Sequence, residues 1–216
     1  MEREKKEFLS ALLVPAALII LLWVIKLLEI GSGISLSSYG LHPRSLTKIY
    51  GILTMPLLHA NINHLASNSI ALFILLSGLY LFYKEKASSL FIQFYLISGA
   101  ITWVIAKPGS VHIGASAIVY SLAWFHIVSG FIKKNKRESA FGFLVVFLYG
   151  SVVWGIFPGF QTKPNISWQG HLAGGITGLI YAIYFRKYRI DPEEEEDVEE
   201  DEEDYEYPYW EDFPPE

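Results

Sequence analysis

Six predominantly apolar runs, each long enough to cross a bilayer, divide this chain between residues 8 and 186. A spanning helix takes about 20 such residues. Backbone in hydrocarbon must satisfy its own hydrogen bonds, so runs of this kind are expected to be helices. They fall at about 8–30, 64–83, 88–106, 115–132, 140–157 and 169–186. Stops separate them at Tyr83-Lys84-Glu85-Lys86, Lys107-Pro108-Gly109, Lys133-Lys134-Asn135-Lys136-Arg137, Pro158-Gly159 and Arg186-Lys187. The first run holds Pro15 and, near its outer end, Lys26 and Glu29. It is too long for a signal core and has no evident small-residue cleavage site, so it reads as a retained span. The expected fold class is an all-α polytopic membrane protein, a bundle of six transmembrane helices with a long first outer loop.

Charge sets the expected orientation. Residues 191–216 carry 16 of the 22 acids, while residues 1–190 carry all 17 Lys and Arg. A basic, apolar six-span domain (1–190) is therefore expected to end in an acidic tail (191–216). One set of helix ends carries twelve Lys or Arg, among them Lys5, Lys84, Lys133 and Arg186; the other carries four, Arg44, Lys48, Lys107 and Lys163. Positive charge stays inside. Both termini are then expected in the cytoplasm, with the chain a multi-pass protein of the cell membrane and Ser116 at an outward-facing helix end. The tail is too acidic to bury a core and is expected to be disordered. Its Tyr205, Tyr207, Tyr209, Trp210 and Phe213 could form a short motif for a cytoplasmic partner, although a solvated tail is the simpler and favoured reading. Gly31–Asn63 is long for a loop and mixes apolar runs with Pro43 and Pro56, so short helices at the outer interface are expected.

Polar residues inside such runs need a reason to be there. Ser116 stands in Gly114-Ala115-Ser116-Ala117. Gly114 permits a tight approach just before the helix, and Ser116 falls in the first turn, where free N–H groups favour an oxyanion. Tyr120 lies on the same face, about 6 Å further along. Alone, such a serine is usually structural. His171 is the candidate base, a neutral imidazole being free to take a serine proton; alone it reads as a packed core residue. Gly174, Gly175 and Gly178 follow on its face, and Gly174-xxx-Gly178 is a seam that admits a second helix, with Ala117 and Ser121 as the matching small pair. His64 and Asn68 share a face at i, i+4. Both can donate to an oxyanion, and both fit polar contact between helices as well. His59 fits loop ordering or support of the site. His112 and His126 fit loop or interface positions.

Several chemistries are excluded. There is no cysteine, hence no thiol nucleophile. No His-Glu-x-x-His string exists for a zinc protease, and His59 and His64 have poor metal spacing. The first Asp is Asp191, so neither an aspartyl pair nor a Ser-His-Asp triad is available within the spans. The remaining option is a Ser-His dyad, with the base oriented by something other than a carboxylate. No metal or other cofactor is expected.

These strings resemble the rhomboid family of intramembrane serine proteases over about residues 8–187. The His-x-x-x-Asn element appears as His64-Leu65-Ala66-Ser67-Asn68. The Gly-x-Ser-Gly element appears as Gly114-Ala115-Ser116-Ala117, followed by Tyr120, and the sixth-span histidine appears as His171 with Gly174 and Gly178. The resemblance implies a rhomboid-like bundle in which Ser116 attacks a peptide carbonyl and His171 shuttles the proton. His64, Asn68 and the Ser116 N–H would form the oxyanion hole. It further implies an outward-opening aqueous recess with lateral substrate entry near spans two and five, where Trp154 and Phe157 would be either gate bulk or core. Two departures stand out. Ala117 replaces a glycine, and the first loop has Tyr50-Gly51 where some members carry Trp-Arg.

The expected activity is cleavage of transmembrane segments near the outer membrane surface, after a small residue. The expected partners are transmembrane substrates and the bilayer, with no nucleic acid. The alternative is a non-proteolytic relative that binds membrane clients. A proton-relay transporter would predict inverted repeats, which the sequence does not show.

Overall fold

The computed structural model describes residues 2–133, 135–158 and 167–188, with the backbone alone at residues 3, 4 and 151–153. The tail at 191–216, Lys134, Lys163 and the stop at Gly159 lie outside the described residues. The helices are α1 (Glu2–Ser32), α2 (Gly51–Thr54), α3 (Ile62–Ile105), α4 (Ser116–Ile132), α5 (Lys136–Tyr149) and α6 (Trp168–Tyr184). α1 and α3 are long and apolar enough to cross a membrane, and α4 is a shorter apolar helix.

α3 contains both the second and third expected spans, broken at the expected stop. Lys84 has φ 34° and ψ −105°, outside the helical region. Tyr80 and Ser88 hydroxyls are 2.9 Å apart. Eight residues of unbroken helix would separate them by about 12 Å, so the chain folds back on itself here. An ion pair from Lys84 to Glu7 of α1 (3.3 Å) lies at the reversal.

α4 is the central helix and is largely buried; α3, α5 and α6 all pack on it. Its Ile118, Leu122 and Phe125 join Leu65, Leu72, Leu75, Leu76 and Leu79 of α3 in one apolar core. α1 packs on α3 but leaves Leu13, Ile20, Leu27 and Leu28 exposed, a surface suited to lipid. α5 begins four residues before the expected run because Asn135 caps it, its side chain accepting the Glu138 N–H at 3.0 Å. It ends early at Tyr149, and residues 150–156 continue as a 3-10 helix. Gly150 and the β-branched pair Val152-Val153 are weak α-formers.

At the end of the bundle opposite Ser116, Tyr83 donates to the carboxylate of Glu138, and Lys133 Nζ donates to Tyr83 Oη (2.7 Å) beneath the ring of Tyr188. Lys133 and Glu138 are both buried, so each charge depends on the other. From sequence Lys133 reads only as a stop signal. The fold makes it an internal tie between α3, α4 and α5.

The long outer loop has the expected short helices. Besides α2, Ser37–Tyr39, Leu46–Lys48 and Met55–Leu57 form 3-10 turns. Leu41 and His112 exchange backbone hydrogen bonds of 2.9 Å in each direction, which fastens the loop to the segment entering α4. The fit is close at Tyr50-Gly51. A side chain at Gly51 would lie 2.6 Å from the Gly40 carbonyl. Backbone packing therefore anchors the loop at this position.

Candidate active site

The turn that delivers Ser116 is held from below by the outer loop. Gly114 has φ 113°, a conformation that L side chains rarely adopt. A Cβ there would also lie 2.6 Å from His64 Cε1, 2.8 Å from His64 Nε2 and 3.6 Å from the Asn68 amide nitrogen. Backbone, imidazole and amide thus meet at one point. The Gly114 N–H donates to the Met55 carbonyl (2.9 Å), and the Ala115 N–H donates to His59 Nε2 (3.4 Å). With those two N–H groups engaged, Ser116 is the first residue of the helix whose N–H, among the described residues, has no acceptor. Asn68 Nδ2 is buried near Gly114, also without an acceptor among the described residues. Unpaired buried donors of this kind favour a developing negative charge.

His171 sits in the first turn of α6, which Ser167 caps by accepting the Gly170 N–H at 3.0 Å. Its Nδ1 donates to the Gly155 carbonyl at 3.1 Å. A carbonyl oxygen can only accept, so Nδ1 carries the proton and Nε2 is left with the lone pair. The ring stacks on Tyr120 with centroids 4.0 Å apart and planes 10° from parallel. Gly155 is a site residue that the sequence reading missed. A side chain there would collide with the Tyr120 hydroxyl and lie 3.3 Å from His171 Nδ1. No motif connects it to residue 171, because the pairing is made by the fold alone.

α4 and α6 approach more closely than side chains would allow. A Cβ at Gly174 would fall on the Ala117 carbonyl, and one at Gly178 on the Ser121 carbonyl. Gly175 instead faces the Trp124 indole. The two contacts advance by four residues on each helix, so the helices run parallel. One turn back from Gly174, His171 comes level with the segment that leads into Ser116. Among the described residues no hydrogen bond joins Ser116 to His171; such bonds commonly tighten only when substrate binds. His112 fastens the same two helices from the loop, with Nδ1 2.6 Å from the Ser167 hydroxyl and Nε2 2.8 Å from that of Ser110.

Three expectations need correction or completion. His126 is not in a loop but at the contact of α4 with α3 and α5. It is fully buried in α4, with Nε2 donating to the Leu75 carbonyl at 2.9 Å. Trp154 and Phe157 are not core residues, being 55% and 45% exposed. Where α5 gives way to the 3-10 segment, its register no longer turns them inward. The Ala117 methyl packs with Leu41 and Met55 under the outer loop, so the departure at this position adds to the anchorage of the loop.

His59 allows a pH prediction. Burial, aided by nearby His64 and Lys26, pulls its imidazole down to about 4; Leu57 and Glu29 act in the opposite sense. An unfolded histidine titrates near 6.5. Between those values the unfolded chain binds more protons than the folded one. The contribution is complete above about pH 6.5 and is lost as pH falls towards 4, amounting to roughly 3 kcal/mol. The thermal midpoint in detergent should fall across that window, and the fall should be smaller in His59→Gln. An identical fall in the variant would remove His59 from the explanation.

The site thus lies within an all-helical fold, two of whose helices are long and apolar enough to cross a membrane. A family model for the Rhomboid domain matches residues 46–188. Uncharacterized proteins of Mycobacterium bovis and Mycobacterium tuberculosis are each 33% identical over 172 residues, covering 75% of this chain and 70% of theirs. One from Mycobacterium leprae is 32% identical, covering 66% of its own length. The chain belongs to the rhomboid family, whose members are generally intramembrane serine proteases, and it is an integral membrane protein.

Proposed function

We propose that this chain is a six-span intramembrane serine endopeptidase with both termini in the cytoplasm, cutting transmembrane segments of other proteins near the outer membrane surface. The observation that carries this reading is the state of His171. The Gly155 carbonyl fixes its tautomer and Tyr120 fixes its plane, on a helix packed against the one that Ser116 begins. In this reading Ser116 Oγ attacks the scissile carbonyl while His171 Nε2 takes its proton. The resulting imidazolium keeps its Nδ1–H on the Gly155 carbonyl and its face on the Tyr120 ring, which favours a cation. These contacts do the orienting that a carboxylate does in a triad. Negative charge on the former carbonyl oxygen is met by the Ser116 N–H, Asn68 Nδ2 and His64. His171 returns the proton to the leaving amine, and water, activated the same way, releases the acyl group.

The substrates are transmembrane proteins with a small residue before the scissile bond, in a segment that unwinds readily. The test is labelling of purified protein by a fluorophosphonate probe together with cleavage of a single-span substrate in liposomes. Wild type should do both and Ser116→Ala neither. Cleavage by purified Ser116→Ala would sink the proposal. Wild type that captures a span without labelling or cutting would instead be a client-binding protein.

A further inference from the structure

Two charged residues in the outer part of α1 are left unexplained by the chemistry above. Lys26 is 8% exposed on a helix whose surroundings are apolar, a position where an ammonium is costly unless every proton is used. All three are. Lys26 Nζ donates to Glu29 Oε2 (2.7 Å), the His59 carbonyl (2.8 Å) and the Ala60 carbonyl (3.4 Å). Glu29 uses its other oxygen, Oε1, to accept the Leu36 N–H at 2.8 Å. Leu36 is where the outer loop begins its first turn, and His59-Ala60 is where the loop ends before α3. One ion pair three residues apart on α1 therefore grips both ends of the loop.

The grip leads to the nucleophile in two steps. Lys26 holds the backbone of His59, and His59 Nε2 accepts the Ala115 N–H, one residue before Ser116. The same loop accepts the Gly114 N–H at Met55. The geometry points to Lys26 and Glu29 as positioning residues for proteolysis. Acting through His59, they fix the Gly114–Ser116 turn and so the direction of the Ser116 hydroxyl and N–H. This inference rests on the proposed serine protease reading. It assigns α1, which contributes no residue to the reaction, a part in aligning the reacting groups.

The experiment measures the rate of fluorophosphonate labelling, separated into kinact and KI, for full-length protein in detergent, with the thermal midpoint followed alongside. Lys26→Met should lower kinact about ten- to a hundredfold, the range a displacement near 1 Å brings, with KI little changed. Lys26→Arg, which can donate to the same carbonyls, should restore most of it. Because the effect passes through His59, Lys26→Met combined with His59→Gln should label no more slowly than the slower single variant. Wild-type kinact in Lys26→Met overturns the inference, as does a double variant whose losses multiply, or a kinact that follows the thermal midpoint alone. If Lys26→Met does not fold, Glu29→Gln keeps the shape but removes the charge; an unchanged kinact there overturns the inference equally. Wild type that fails to label at all overturns the protease reading instead.

Discussion

His171→Ala is expected to slow cleavage of a single-span substrate by at least about a thousandfold, the scale on which proton-transfer partners contribute. The decisive comparison is with Tyr120→Ala. Tyr120 stacks on the imidazole but leaves the Nδ1 bond to Gly155 in place. An aromatic stack is worth about 0.5–1.5 kcal/mol, so its loss should slow cleavage by roughly three- to tenfold. Both side chains are largely buried, so loss of packing alone would penalise the larger tyrosine at least as heavily. Equal losses in the two variants would mean that His171 is a packing residue. A deep loss confined to His171 identifies the base. Single-turnover cleavage in liposomes makes the measurement, with folded fraction checked for each variant.

The second large effect is expected at the helix seam. Gly178→Ala places a methyl on the Ser121 carbonyl, with Phe125 N at 2.9 Å and Trp124 Cβ at 3.0 Å. Gly174→Ala does the same at the Ala117 carbonyl, with Tyr120 Cβ at 2.8 Å. Backbone cannot rotate aside as a long side chain can, so α4 and α6 must separate. Overpacking of this kind costs about 1–3 kcal/mol, occasionally more. Separation also moves His171 away from the Ser116 turn, so labelling should fall further than stability does in Gly174→Ala, the position nearer the site. Gly31→Ala is the control, since nothing lies within 4 Å of its added methyl. Unfolding in detergent, read with probe labelling on the same samples, checks both. Wild-type stability in Gly178→Ala would mean that the helices are not in backbone contact.

Much of the fold is legible in the sequence because hydrocarbon leaves a chain few choices. Apolar length fixed the two halves of α3, and α4 and α6 to within a few residues, and the outer end of α1, which begins six residues before the expected run; the charged stop at Lys84 marked the reversal inside α3. α5 was less legible. Its apolar run continues past Tyr149, but the backbone tightens to a 3-10 helix from Gly150, and Trp154 and Phe157 are exposed. The sequence leaves His126 between loop and interface for a related reason. Apolar composition marks a helix as buried without saying which of its polar side chains meets a neighbouring carbonyl.

For the site, the sequence by itself determined the candidate groups on offer: one serine at a helix start, one histidine above a glycine seam, an i, i+4 His-Asn pair, and no aspartate within the spans to pair with that histidine. Those facts are local, set by residue type, spacing and helical period. Only the tertiary structure decided which contacts orient His171, because Tyr120 meets it through the parallel packing of α4 and α6, and Gly155 reaches it on the 3-10 segment packed against α6. It also decided the use of Lys26, which reads as an oddity in an apolar helix until the carbonyls of His59 and Ala60 are brought to it. A backbone carbonyl is present at every residue and leaves no mark in a sequence. Where it points is a property of the fold alone.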